Sequence, residues 1–299
     1  MKLLLLGANG QVGHELRRSL APLGEVVAAT RDGRLSDGGG CEALDLEDAA
    51  ALEALVDRIA PDAVVNAAAW TAVDLAESDR DAAFRANAEA PRAIATACAR
   101  NGARLVHYST DYVFDGRGTR PYREDDPTSP LGAYGASKLE GEEAIRASGA
   151  EHAILRTAWV FAPHGRNFLL TMLRVGAERD RVRVVADQIG TPTGAALIAE
   201  ATARILAHPL RESGTWHLTA SGQASWHGFA EAIFAAAVER GLLPRAPVVE
   251  AISTADYPTA AARPAYSVLD TSKLQRDFGI RPPDWREGLD RALDALERG

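Results

Sequence analysis

A tyrosine and a lysine on one predicted helix are the side chains of this sequence best suited to proton transfer. Tyr134 and Lys138 lie four positions apart, and residues at i and i+4 share one face of a helix. A lysine ammonium beside a phenol favours the phenolate and lowers the tyrosine pKa from about 10. We therefore expect Tyr134 to exchange a proton with a substrate near neutral pH. The alternative is an ordinary surface pair on an amphipathic helix.

The use of lysine at position 138 favours a chemical role. Of the 33 basic residues, only Lys2, Lys138 and Lys273 are lysines, and the rest are arginines. Arginine cannot shift its pKa or act as a compact donor. A solvated cation at this position would therefore be expected to be arginine in this chain.

Hydroxyl side chains follow the strand predicted at residues 104–108. Ser109 and Thr110 stand at its carboxyl end, and this end of a parallel strand points into the ligand crevice of an α/β sheet. Either hydroxyl could bind a substrate carbonyl together with Tyr134. The alternative is a strand-end hydroxyl that caps its own turn.

A glycine-rich turn follows the first predicted strand, residues 3–6, and opens the first helix. Its spacing is Gly-x-x-Gly-x-x-Gly, one residue away from the Gly-x-Gly-x-x-Gly dinucleotide-binding pattern. Glycines allow close approach of the backbone to a pyrophosphate, and the helix N-terminus faces the anion. The alternative is a glycine-rich turn with no ligand. We expect the cofactor to contact Gly7, Asn9, Gly10, Gln11, Val12 and Gly13.

The end of the second strand selects the cofactor. An acid there suits the ribose of NAD, whereas an arginine suits the 2′-phosphate of NADP. Arg31 occupies the expected place and Asp32 follows it, so we expect NADPH, with NADH as the alternative. An Arg31 that is merely exposed is the competing interpretation. Further cofactor contacts are expected from Asp45 and Leu46 beside the adenine, and from Ala67, Ala68 and Ala69 after the third strand.

The order of predicted elements defines the fold class. Apolar runs at residues 3–6, 26–29, 63–65, 104–108 and 152–156 alternate with helical patterns at 11–20, 48–59, 79–100 and 134–147. Strands alternating with helices of this length predict an α/β protein with a Rossmann-type, doubly wound parallel sheet. The less regular second half predicts a smaller, interleaved substrate domain. We therefore expect residues 1–165 to bind NADP(H), with later segments returning to this unit, and residues 166–299 to be mainly substrate-binding.

Charge and cysteine content restrict the partners. The formal net charge of -8 argues against nucleic acid and anionic membrane surfaces as partners. Two cysteines form no disulfide framework, and no His or Cys spacing predicts a metal site. The short apolar run at residues 3–6 predicts a buried strand rather than a signal peptide or membrane span. We expect a cytoplasmic location.

Taken together, these elements resemble the extended short-chain dehydrogenase/reductase superfamily. The finer pattern is similar to the dTDP-4-dehydrorhamnose reductase family, and the likeness covers essentially the whole chain in order. The matching stretches are residues 6–13, 65–71, 109–116, 134–138, 156–160 and 187–193, followed by Arg263, Pro264, Ser267, Leu269, Asp270 and Lys273.

The resemblance implies a catalytic triad of Thr110, Tyr134 and Lys138. It also implies NADPH-dependent reduction of the C4 ketone of a dTDP-4-keto-6-deoxy sugar, in dTDP-rhamnose and polysaccharide biosynthesis. Trp159 would lie against the sugar, with a core tryptophan as the alternative, and Arg263 would hold the diphosphate or form an interdomain salt bridge. The expected substrate-binding residues are Trp70, Thr110, Asp111, Tyr112, Trp159 and Arg263. Some members form homodimers through Mg²⁺, but no matching carboxylate set is recognisable, so no metal is expected.

Three other functions share parts of this pattern. A nucleotide-sugar 4,6-dehydratase typically has Asp-Glu directly after the catalytic threonine, whereas Asp111 is followed here by Tyr112. A 4-epimerase or another ketoreductase is the second alternative, and residues 109–112 with Trp159 favour the reductase. A non-catalytic NADP-binding regulatory subunit, similar to that of methionine adenosyltransferase, is the third, and the intact triad argues against it.

Overall fold

The sheet at the centre of the molecule is parallel and has seven strands. A computed structural model describes residues 1–210 and 212–297. The strands are β1 Lys2–Leu6, β2 Glu25–Thr30, β3 Glu42–Ala43, β4 Ala63–Asn66, β5 Arg104–Thr110, β6 His152–Thr157, β7 Val160–Phe161, β8 Arg181–Val185, β9 Ile189–Gly190, β10 Thr193–Gly194, β11 Gly214–His217, β12 Ala224–Ser225 and β13 Val248–Ile252. The order in the central sheet is β11-β6-β5-β4-β1-β2-β3.

Helices cover both faces of this sheet. They are α1 Gln11–Leu20, α2 Ala49–Ile59, α3 Leu75–Ser78, α4 Arg80–Phe84, α5 Ala90–Asn101, α6 Ala133–Ala147, α7 Phe168–Glu178, α8 Ala195–Ala207, α9 Trp226–Glu239, α10 Ser272–Phe278 and α11 Trp285–Glu297. Shorter 3₁₀ turns lie at Ala21–Leu23, Asp111–Val113 and Thr254–Asp256, and a π-turn at Arg85–Glu89. No helix of the described ranges is long and apolar enough to span a membrane.

Alternate side chains of β1 pack into two separate hydrophobic cores. The continuous apolar run Leu3–Leu6 predicts this, because such a run is typical of a strand buried on both faces. Leu3 and Leu5 pack with α1 and α8, while Leu4 and Leu6 pack with α2 and α5. The sheet is thereby fixed between two helical layers, and the carboxyl ends of β1, β4 and β5 meet at one edge.

A third core belongs to the second half of the chain. The apolar faces of α7, α9 and α11 pack together there, around Phe229 and Trp285. Side-chain caps define where two of these helices begin: Asn167 accepts a hydrogen bond from Leu170 N, and Ser225 accepts one from Gly228 N.

The predicted α/β class and the main strands of the first half agree with the structure. The helix expected over residues 79–100 is wrong as a regular helix, because the π-turn Arg85–Glu89 interrupts it. The edge strand β11 and the helices α10 and α11 were not predicted. β11 pairs in parallel with β6, so a segment of the second half completes the sheet of the first.

Candidate active site

The glycine turn after β1 brings the backbone close to the next strand. Gly7 has φ of 80°, and a Cβ added there would lie 2.7 Å from Ala68 N. A Cβ on Gly13 would overlap the Gly7 carbonyl oxygen. Gly10 is the N-cap of α1 and provides no side chain to cap it. The first N–H groups of this helix are therefore available to an anion.

This turn forms one end of a cavity of about 680 Å³. Most predicted cofactor residues line it: Gly7, Asn9, Gly10, Gln11, Val12, Arg31, Leu46, Ala67, Ala68, Ala69, Tyr134 and Lys138. Gly13 and Asp45 do not. Gly13 packs against the glycine turn on the side away from the cavity. Asp45 is exposed and accepts a hydrogen bond from Glu47 N. The predicted adenine contact of Asp45 therefore has no support from this geometry.

The structure adds wall residues that the sequence analysis missed. They include Leu44, Thr71, Thr157, Gly165 and Arg166. Ser109, one of the two hydroxyls expected at the end of β5, also lines the cavity. Gly165 and Arg166 lie between β7 and α7, next to Asn167, whose amide donates to Gln11 Oε1 at 2.8 Å. No spacing pattern in the sequence connects position 166 with position 11, because only the folded chain brings them together.

Arg31 and Asp32 differ in how they are used. The Asp32 carboxylate accepts from Thr30 Oγ1 at 3.0 Å and from Arg34 N at 3.3 Å. These hydrogen bonds, with the Thr30 hydroxyl contributing most, lower the pKa of Asp32. Arg31 lines the cavity and forms no ion pair within the described ranges. The arginine, rather than the acid, is thus available to a phosphate.

Tyr134 and Lys138 both reach the cavity from α6, as their spacing predicts. Burial raises the pKa of Tyr134 to about 12, with the Thr110 hydroxyl acting in the opposite direction. The expected lowering of this pKa by Lys138 is therefore wrong for the protein alone. Lys138 Nζ instead donates to Tyr108 O at 2.7 Å and lies 3.3 Å from His107 Nε2. Tyr134 is protonated at neutral pH and suited to proton donation.

Thr110 ends β5, Asp111 begins the 3₁₀ turn that follows it, and both are buried. Thr110 Oγ1 donates to Asp111 Oδ1 at 3.0 Å and accepts from Tyr112 N at 3.1 Å. Burial raises the pKa of Asp111 to about 6, and its Oδ2 has no hydrogen-bond partner in the part of the chain described. Tyr112 lies edge-on to Tyr134, with ring centroids 5.5 Å apart. The predicted substrate-side residues of this segment therefore surround the proton donor.

Trp70 is held beside Tyr134 by the π-turn. Asn87 Oδ1 accepts from Trp70 N at 2.9 Å, and Asn87 Nδ2 donates to Trp70 O at 3.0 Å and to Ser137 Oγ at 3.1 Å. Trp70 and Tyr134 pack on the same small cluster of alanines. A π-turn at a functional site is a recurrent arrangement, and here it orients Asn87 towards both α6 and the Trp70 loop.

Arg263 forms a salt bridge with a residue of the first half of the chain. Its Nη2 lies 2.7 Å from Asp74 Oδ2, and Asp74 Oδ1 accepts from Ala261 N at 3.0 Å. Arg263 Nη1 is buried with no hydrogen-bond partner in the described ranges. One guanidinium nitrogen therefore remains for another ligand.

Both faces of the Trp159 ring are covered by other residues. Its indole stacks on Trp226, with centroids 3.5 Å apart and planes 5° apart. A Cβ built on Gly190 would lie 2.5 to 2.7 Å from three atoms of the same indole. Because a ring stacked at 3.5 Å leaves no room for backbone on that face, Gly190 covers the opposite one. Trp159 also has φ of 47°, a strained value for a tryptophan.

One group of side chains in the described ranges has the spacing of metal ligands. His14, Glu15 and His164 place their ligating atoms within 4.8 Å of one another. The Glu15 carboxylate is already bound by His164 at 3.0 Å and by Arg18 at 2.9 Å. Two imidazoles and one occupied carboxylate do not fit Mg²⁺, which prefers oxygen ligands and retained water.

The sequence as a whole matches one family. The family model described as RmlD substrate binding domain aligns with residues 1–298. A dTDP-4-dehydrorhamnose reductase of Burkholderia thailandensis is 51% identical over 96% of this chain and 96% of that protein. The Escherichia coli K12 protein of the same name is 44% identical over 99% and 98%.

The fold has the same relatives. The dTDP-4-dehydrorhamnose reductase of Bacillus anthracis, solved in complex with NADP, superposes with a TM-score of 0.89. It is 34% identical and covers 98% of this chain and 99% of its own. Matches in sequence and in fold thus extend over the full length, including both the glycine turn and the Tyr134–Lys138 helix. The chain belongs to the dTDP-4-dehydrorhamnose reductase family.

Proposed function

We propose that this chain is an NADPH-dependent reductase of the C4 ketone of a dTDP-4-keto-6-deoxy sugar. The product would be dTDP-L-rhamnose, formed from dTDP-4-dehydro-L-rhamnose. The observation that carries the proposal is the position of Tyr134 and Lys138 on the wall of the cavity that begins at the glycine turn. This places a protonated phenol where a cofactor and a ketone can meet.

The cofactor fits the residues present. Gly7 and Gly10 give the pyrophosphate access to backbone N–H groups, and the unpaired Arg31 guanidinium suits the 2′-phosphate of NADPH. When bound, NADPH supplies the hydride that reduces C4. The chain's own residues must then orient the ketone and provide one proton.

The proton comes from Tyr134 in this mechanism. Its phenol is protonated at neutral pH, so it can neutralise the negative charge that develops on the C4 oxygen. Thr110 would orient the same oxygen from the end of β5 once its hydroxyl hydrogen, donated here to Asp111 Oδ1 at 3.0 Å, turns to the substrate. Lys138 would bind the ribose of the nicotinamide when the cofactor is present, and would restore the proton of Tyr134 between turnovers.

The substrate side is proposed to be shared between both halves. Residues 1–165 would bind NADPH and carry several residues on the substrate side, and residues 166–299 would be mainly substrate-binding. Trp70, Tyr112 and the free nitrogen of Arg263 would contact the sugar and diphosphate. Trp159 would present an edge of its ring, because both faces are covered by Trp226 and Gly190.

The assembly and location belong to the same proposal. We infer a cytoplasmic location for a chain that uses a phosphorylated sugar and a dinucleotide, and a homodimer as the resemblance implies for some members of the family. Light scattering coupled to size exclusion would test this, since a mass equal to one chain at working concentrations would exclude the dimer.

The direct test is NADPH oxidation with dTDP-4-keto-6-deoxyglucose and a 3,5-epimerase, with the product identified by mass and NMR. Wild type should form dTDP-rhamnose, and Tyr134→Phe should lower turnover by about a hundredfold with NADPH binding retained. Tyr257→Phe is the matched control, because this tyrosine is 59% exposed. Bound NADPH without oxidation would redirect the assignment to another ketosugar or to a regulatory role.

A further inference from the structure

Lys138 ends in a buried polar network that the proposed mechanism does not use. The register of the sheet places Asn66 of β4 opposite His107 of β5. The two side chains and Lys138 are 2%, 1% and 2% exposed, respectively. No solvent can compensate for a mismatch of donors and acceptors at this depth, so each proton must be placed by the network itself.

The orientation of the Asn66 amide is determined by a backbone group. Ala68 N–H donates to Asn66 Oδ1 at 3.2 Å, which identifies that end of the side chain as the oxygen. The other end, Nδ2, then faces His107 Nδ1 at 3.1 Å. An amide nitrogen can only donate, so His107 Nδ1 must be the acceptor and carry no proton.

A neutral imidazole with an unprotonated Nδ1 carries its proton on Nε2. His107 Nε2 lies 3.3 Å from Lys138 Nζ, and Nζ also donates to Tyr108 O at 2.7 Å. An ammonium at this position would direct a second donor at the Nε2–H group. A neutral amine would instead accept from Nε2–H with its lone pair and still donate to Tyr108 O.

We propose that His107, held in its Nε2–H tautomer by Asn66, is a positioning residue that favours the neutral amine of Lys138. Lys138 would thereby gain and lose a proton in the neutral pH range, as required of a group that reprotonates Tyr134. The catalytic consequence rests on the proposed function, whereas the tautomer and the protonation of Lys138 do not.

Burial and a neighbouring charge act on the pKa of Lys138 in opposite directions and on the pKa of His107 in the same direction. Burial lowers the pKa of Lys138 to about 8, with Glu142 on the same helix acting in the opposite direction. Burial, followed by the charge of Lys138, lowers the pKa of His107 well below its usual value, so the imidazole is neutral. Tyr108 of β5 and Tyr134 of α6 are the remaining titratable groups here, and burial raises the pKa of each.

The tautomer can be observed directly on the full chain. With ¹⁵N-labelled histidine, the signal that is lost in His107→Gln should show a protonated Nε2 and an unprotonated Nδ1. The opposite tautomer, or a doubly protonated ring at neutral pH, would overturn the proposal. The sequence has seven histidines, so this assignment by substitution is practicable.

The effect on Lys138 can be measured with ¹³Cε-labelled lysine, because the chain has only three lysines. In His107→Gln the side-chain oxygen can face the ammonium, so the Lys138 titration should move up by about one pH unit or more. Asn66→Ala keeps the imidazole but frees its tautomer, and should move the titration in the same direction. This second variant decides the matter where His107→Gln does not fold.

His152→Gln is the matched control, since His152 is also buried and pairs only locally, through Nδ1 with Ala150 O at 2.8 Å. It should leave the Lys138 titration unchanged. An unchanged titration in His107→Gln and Asn66→Ala would refute the proposal. In the reductase assay, the decline of kcat with rising pH should shift upward in His107→Gln. If wild type showed no reductase turnover, the proposed function would be contradicted. The two NMR measurements would still decide the roles of His107 and Asn66.

Discussion

Replacing Asp111 by asparagine should make the protein more stable. Asp111 is 2% exposed, and burial raises its pKa from 3.8 to about 6. At about 1.4 kcal/mol per unit of pKa, ionised Asp111 destabilises the fold by about 3 kcal/mol at neutral pH. Asparagine removes the charge and keeps the acceptor for the Thr110 hydroxyl. Its amide nitrogen takes the place of the unpartnered Oδ2. Burying this donor without a partner costs about 1 to 2 kcal/mol, which offsets part of the stability gained by removing the charge.

The difference in stability between Asp111→Asn and wild type should depend on pH. Between pH 3.8 and about 6 the folded protein binds a proton at Asp111 that the unfolded chain releases. Through this group, wild-type stability therefore falls as the pH rises across that window and is constant above it. The net advantage of Asp111→Asn should be about 1 to 2 kcal/mol above pH 7 and should shrink as the pH falls below about 6.

Urea unfolding of both proteins at several pH values measures this difference. Asp187→Asn is the control of opposite sign, because hydrogen bonds from Thr254 N hold the pKa of Asp187 below its usual value. It should lose stability at neutral pH and less in acid. Ionised Asp111 does not destabilise the fold if Asp111→Asn is no more stable than wild type above pH 7, or if its advantage is the same on both sides of the window.

Three further outcomes follow from the structure. Arg31→Ala should raise the KM for NADPH by roughly tenfold with little change for NADH, because a 2′-phosphate contact is worth about 1 to 2 kcal/mol. An unchanged preference for NADPH over NADH would mean that Arg31 is only exposed. Gly190→Ala should displace Trp159, since the added Cβ would lie 2.5 Å from its indole. Near-UV circular dichroism should detect this, and wild-type spectra with wild-type KM for the sugar would contradict it. One thiol should react with Ellman's reagent in the native protein and two in urea, because burial raises the pKa of the Cys98 thiol to about 12 while Cys41 is half-buried. Two fast native thiols would refute this.

The parts of the fold that the sequence predicted share a local signal. The run Leu3–Leu6 is apolar throughout because both of its faces are buried, and the Tyr134–Lys138 spacing acts within one helix. Strand β11 has no such signal: Gly214–His217 is short and mixed, and it becomes a strand only by pairing with β6. Tertiary pairing, rather than propensity, determines its conformation.

The same distinction applies to the site. The residue types at Tyr134, Lys138 and Arg31 predict their chemistry from the sequence alone, because each side chain carries the functional group that its predicted role needs. The partners of Lys138 were not predictable, because His107 is 31 positions and Asn66 is 72 positions away along the chain. Nor was the stacking of Trp159 on Trp226, which changes which part of the Trp159 ring a sugar can reach.

The pairing of β11 with β6 also constrains how the protein is made. During synthesis, the apolar side of the sheet that receives α1 remains partly uncovered until α8 arrives, and Trp216, Leu274 and Phe278 join the same core later still. About two thirds of the chain must therefore be synthesised before α8 can cover this side of the sheet, a long interval for exposed apolar surface. Chaperone demand should therefore be highest for chains that end between β6 and β11. A nascent or proteolytic fragment ending at residue 165 should aggregate rather than persist as an independent dinucleotide-binding unit.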